Sequence, residues 1–76
     1  MSKLQELRKN KNISQNELSK KTRISKKNIQ AYEQQERNID GAGLDKLVPL
    51  AIALQCKISD ILENEELIKL CKEIGI

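Results

Sequence analysis

A chain of 76 residues, 38% hydrophobic and 33% charged, has room for one domain with a modest core; it is too apolar for disorder and too small for a second, sensory or catalytic unit. Its apolar residues are almost all Leu, Ile, Val and Ala, with one Tyr and neither Trp nor Phe, and they show no Val/Thr/aromatic alternation, so helices are expected rather than strands. The net charge of +3 is uneven, with ten Lys/Arg against five Asp/Glu in residues 1–40 and four against six in residues 41–76; a basic front half suits a polyanion and an acidic back half other contacts, the alternative being a solvated surface with no partner.

Helix 1 is predicted from Ser2 or Lys3 to Lys9 or Asn10, with Leu4, Leu7 and Arg8 inward at i, i+3, i+4 spacing. Lys9-Asn10-Lys11-Asn12 then breaks the pattern as a turn. Helix 2 opens on Ser14 and Glu17, an S-x-x-E capping box, with Leu18 as its interior residue and a small Ser19 that lets a neighbouring helix approach. Thr22-Arg23-Ile24 forms the next turn, with Ile24 as its buried hinge. Helix 3 starts after Ser25, a good N-cap. It turns Ile29 and Tyr32 to the core and leaves Lys26, Lys27, Gln30 and Ala31 outward or along the rim. Two short capped helices about a tight turn, the second with a polar outer face, are what the DNA major groove accepts.

Gln34 to Ile39 reads as a loop, and helix 4 covers roughly Ala42 to Leu54, with Leu44, Leu47, Val48, Ala51 and Leu54 on its apolar face. An interior proline costs ~3 kcal/mol, so this helix either begins as late as Asp45, placing Pro49 in its first turn, or kinks between the two. Gln55-Cys56-Lys57 links to a brief helix 5, Asp60 to Glu63, capped by Ser59. Glu65 to Ile74 is a last amphipathic stretch with Leu67, Leu70, Cys71 and Ile74 in one stripe; Glu65 and Glu66 at its start and Lys72 near its end agree with the helix dipole. Leu67, Leu70 and Ile74 either pack on the chain's own core or form a dimer interface. Cys56 and Cys71 lack C-x-x-C spacing, no His completes a metal site, and both read as small core hydrophobes. Two free thiols in a chain with no apolar signal stretch and no run of membrane-spanning length point to a reducing cytosol.

As a set, Ile13-Ser14-Gln15-Asn16-Glu17-Leu18-Ser19, Ile24-Ser25, Asn28-Ile29, Tyr32-Glu33, Leu47 and Ala51 to Leu54 resemble the Cro/phage-repressor (Xre-type) helix-turn-helix family over about residues 4–63. The resemblance implies an all-α fold, a compact bundle of five short helices of the lambda-repressor-like type. Its helix-turn-helix lies at helices 2 and 3, and an extra C-terminal helix is added here. Residues 1–64 would form the DNA-binding domain and residues 65–76 an amphipathic helix for packing or dimerisation. The implied function is that of a cytoplasmic transcription regulator of bacterial or phage type, a repressor in its simplest form. It would need no cofactor, bind double-stranded DNA as a homodimer and touch no membrane.

Roles follow residue by residue. Gln15 would contact a phosphate and brace helix 3. Lys26, Lys27 and Ala31 occupy positions that face base edges, Asn28 and Gln30 would reach phosphate or bases, and Gln34 and Arg37 would hold the backbone beyond helix 3. Arg8 and Glu33 match an internal salt bridge. The chain departs from the family at Arg23 and Gln35, where Gly is common because φ > 0 can be required, and in a longer Asn38–Gly43 entry to helix 4. Two other functions fit the same residues: an antitoxin that binds its own operator and a toxin protein, and a protein-interaction module without DNA binding. An enzyme is not expected, since there is no phosphate-binding Gly loop, no Gly-x-Ser-x-Gly elbow and no metal-ligand cluster.

Overall fold

In the computed structural model, which describes residues 1–76, each of the first three helices begins at a serine. Ser2, Ser14 and Ser25 are extended, and their hydroxyls accept the N–H of Gln5, Glu17 and Asn28, opening α1 (Lys3–Asn10), α2 (Gln15–Thr22) and α3 (Lys26–Glu33). Each bond satisfies a donor that the helix cannot, for about 1 kcal/mol. At Ser14 the Glu17 carboxylate returns the contact to the serine N–H, completing the box. A 3-10 turn (Ile39–Gly41) leads to α4 (Leu44–Leu54), α5 (Ile58–Ile61) and α6 (Glu65–Glu73). There is no strand, and the all-α class stands: a five-helix bundle with one further helix at its C-terminal end.

Helix α4 begins at Leu44, so Pro49 lies inside it, beyond the first turn. The Asp45 carbonyl loses its usual donor there; Asp45 is exposed, and water can take that place. The buried side is Leu47, Leu50 and Leu54, while Leu44 and Val48, expected on the apolar face, are 66% and 41% exposed. Because α4 is apolar on nearly every side, its periodicity does not fix which face turns inward. Helix α5 starts earlier than expected. The Asp60 carboxylate accepts the Lys57 N–H at 2.9 Å, so Lys57 is the cap and Ser59 is buried within the helix, which lets Ile58 and Ile61 reach the core.

One cluster of twelve buried residues forms the core, from Leu4 through Leu18, Ile24, Ile29 and Tyr32 to Leu50, Leu54, Ile61 and Leu62. Helix α6 adds Ile68 and Cys71 to its edge. The stripe of Leu67, Leu70 and Ile74 is 37%, 52% and 73% exposed, so it does not pack on the chain's own core.

Arg23 and Gln35, the two positions where the family resemblance leads one to expect glycine, both adopt φ 61°. A side chain in that region costs about 1–2 kcal/mol. Gln35 is exposed, so Gln35→Gly is expected to raise stability by about 1 kcal/mol, read as a melting temperature higher by ~4–8 °C.

Cys56 and Cys71 are free thiols packed against the core. Burial pushes the Cys56 thiol above its usual range; Asp60 adds to the effect and Lys11 opposes it. The neutral form therefore persists to higher pH, and in a Cys71→Ser background Cys56 should be alkylated by iodoacetamide more slowly than free cysteine at about pH 8. A rate equal to that of free cysteine would contradict this.

Candidate nucleic-acid interface

The turn between α2 and α3 is closed by its own side chains. Thr22 Oγ1 donates to the Leu18 carbonyl at 2.7 Å and accepts the Ile24 N–H at 3.2 Å. Ser19 Oγ donates to the Ile24 carbonyl at 2.6 Å. Arg23 reverses the chain in the left-handed region and Ile24 is buried, so the turn has few free polar groups and a fixed angle without a glycine.

Helix α3 is anchored along one side. Ile29, Tyr32 and Glu33 are buried, whereas Lys26 and Lys27 are exposed and Asn28, Gln30 and Ala31 are partly exposed. Its first turn contains no acidic residue, while the first turns of α1, α2, α4, α5 and α6 each contain at least one. Two cations at a helix N-terminus oppose the dipole, so α3 carries a local cost that an anion would relieve.

Beneath it runs a chain of polar contacts. Arg8 Nε donates to Glu33 Oε2 at 2.6 Å and Nη2 to Oε1 at 3.0 Å, with side-chain exposures of 11% and 1%. The remaining guanidinium nitrogen, Nη1, donates to the Ile13 carbonyl at 2.9 Å. Gln15 Nε2 donates to Glu33 Oε1 at 3.0 Å, and Gln30 Nε2 donates to Gln15 Oε1 at 3.2 Å. One buried carboxylate thus joins α1, α2 and α3 and sets how far α3 stands out. Beyond α3, Arg37 Nη1 donates to Asn28 Oδ1 at 3.0 Å, and its guanidinium lies 5.9 Å from the Tyr32 ring centroid. Gln34 caps α3 and is exposed.

The residues singled out from the sequence therefore fall into three groups. Lys26 and Lys27 stand free at the start of α3; Gln15, Asn28, Gln30 and Arg37 lie along it, tied to one another in pairs; Arg8 and Glu33 lie below, out of reach of a ligand. Ala31 lines the helix between the groups, partly exposed. The Gln15–Gln30 and Asn28–Arg37 pairs have no distinct sequence signal, because an amide forms such bonds with many partners. Arg23, an exposed cation not singled out from the sequence for DNA contact, lies in the turn just ahead of α3.

A family model of the Cro/C1-type HTH DNA-binding domain matches residues 3–66. The chain belongs to this family, and α2 and α3 are its helix-turn-helix. No curated protein and no solved structure matches the chain. The match stops at Glu66, so all of α6 beyond its first two residues lies outside it. No helix is long and apolar enough to cross a membrane.

Proposed function

We propose that this DNA-binding domain acts as a sequence-specific transcription regulator, a repressor in its simplest form, that lays α3 in the major groove. The observation that carries the reading is α3 itself. Its inner side is locked by Ile29, Tyr32 and Glu33, and its N-terminus presents two exposed lysines with no carboxylate beside them.

Lys26 and Lys27 can donate to guanine O6 and N7 or to phosphate, and Ala31 offers an apolar contact to a thymine methyl. Asn28 and Gln30 can pair with adenine or phosphate oxygens once their intramolecular partners yield. Gln15 at the start of α2, with Gln34 and Arg37 beyond α3, would hold the phosphate backbone. Such contacts supply affinity and register, and the base edges supply sequence information. A domain this small touches few base pairs, so two copies on one site are expected. In this reading residues 1–64 bind DNA in the cytoplasm and residues 65–76 serve contacts between proteins.

The test is selection of fragments from the protein's own genome on the immobilised chain, followed by footprinting. Recovery of one class of sites with a defined protected stretch supports a regulator. Recovery of random fragments at low salt only, or of none, overturns it.

A further inference from the structure

We infer that α6 of one copy docks, as an acidic-rimmed apolar ridge, into a basic-rimmed groove beside α4 of a second copy, so that the chain associates head to tail. The ridge is Leu67, Leu70 and Ile74, all exposed. Glu66 and Glu73, seven residues apart, border it on the solvent side, with Lys69 further round the helix. The groove, of about 830 Å³, runs between the outer flank of α4, the start of α5 and the end of the chain, with Val48, Ile52, Ile58 and Ile76 in its walls. Lys57 and Lys72 line it, and Lys11 reaches its edge by donating to Gln55 Oε1 at 3.3 Å. Asp60, the one acidic side chain in the lining, accepts the Lys57 N–H.

Three features favour a second copy as the occupant. First, the charges are complementary: glutamates border the ridge and lysines the groove. Second, the lengths agree, since Leu67 to Ile74 and Val48 to Gln55 each rise about 10 Å along their helices. Third, the obvious symmetric alternative is disfavoured. Pairing α6 with itself, antiparallel about an axis through Leu70, sets Glu66 of one copy near Glu73 of the other, and like charges so placed oppose the contact.

At about 100° per residue, α6 turns Ile68 and Cys71 to the core, Lys72 to the groove on one flank and the ridge to the other. Each copy can therefore give its ridge and accept another's at once, and copies add in series unless the rotation between them closes a ring. Such a contact is small, at the weak end of interfaces below about 1,200 Å².

Sedimentation equilibrium of the whole chain without DNA, in a series reaching about 1 mM, tests this. The average mass should climb from 8.7 kDa past twice that value. Ile52→Glu and Leu70→Glu, at residues 71% and 52% exposed, should each give monomers of unchanged helicity. Mixed in equal amounts, they should form a complex that stops at two chains, because one variant keeps only its ridge and the other only its groove. Should either variant lose helicity, Glu66→Lys with Glu73→Lys reads the same contact through its charges and should lower the mass. A wild-type chain that stays monomeric overturns the inference, as does a mixture that stays monomeric while the wild type associates. The assay holds no DNA, so its failure leaves the DNA-binding reading untouched, and the reverse.

Discussion

Replacing Arg8 with Ala is expected to cost about 3–5 kcal/mol of folding stability. Glu33 is almost wholly removed from water and receives two hydrogen bonds from Arg8 at 2.6 and 3.0 Å. Without the guanidinium, the carboxylate keeps only the Gln15 amide, at 3.0 Å, and no compensating charge. Breaking a buried pair on one side leaves the other charge stranded, and that penalty exceeds what the intact pair contributes. A small domain has about 5–15 kcal/mol in all, so the variant should unfold at a far lower urea concentration with the slope little changed. The double replacement Arg8→Leu with Glu33→Leu should recover much of the loss, because neither charge then needs a partner. A loss under about 1 kcal/mol in Arg8→Ala would mean that water reaches Glu33 after all.

The Arg8–Glu33 pair and the caps were legible in the sequence for different reasons. Ser14 and Ser25 act within four residues, so local pattern suffices, and the observed starts of α2 and α3 agree with it; Ser2, read only as a possible first residue of helix 1, is the cap of α1. Arg8 and Glu33 are 25 residues apart, and only the family resemblance suggested that they meet. The inward face of α4 was not legible. Leu44, Leu47, Val48, Leu50, Ile52 and Leu54 surround that helix, and the burial of Leu50 in place of Val48 is decided by packing rather than by period. The start of α5 escaped for a related reason. Ser59 is the better N-cap by type, yet the core claims Ile58 and Ile61, and Asp60 serves the backbone one turn earlier. At the candidate interface, the exposure of Lys26 and Lys27 follows from Ile29 and Tyr32 being apolar. The amide clasp of Gln15 and Gln30 depends on how close α2 and α3 come, which no local pattern encodes.

The double variant Lys26→Ala with Lys27→Ala should move stability and DNA binding in opposite directions. Both lysines sit in the first turn of α3, exposed, without an ion pair. Removing two cations from the positive end of the dipole, and replacing them with a better helix former, should stabilise the fold by about 0.3–1 kcal/mol for each site. If both lysines neutralise phosphates, the slope of log K against log[salt] should become shallower by about 1.8, at 0.9 per phosphate. If instead they read guanines, the slope should hold while preference for the selected site falls by about 1–3 kcal/mol for each base no longer read. The two modes are therefore separable by titrating selected and random DNA at several salt concentrations. A purely structural role for the lysines predicts the reverse of the first effect, since residues retained for stability should not destabilise the helix they begin. Greater thermal stability with weaker DNA binding would thus identify α3 as a helix whose local cost is tolerated for an anionic partner. Unchanged affinity on both DNAs, with the fold intact, would remove α3 from the interface.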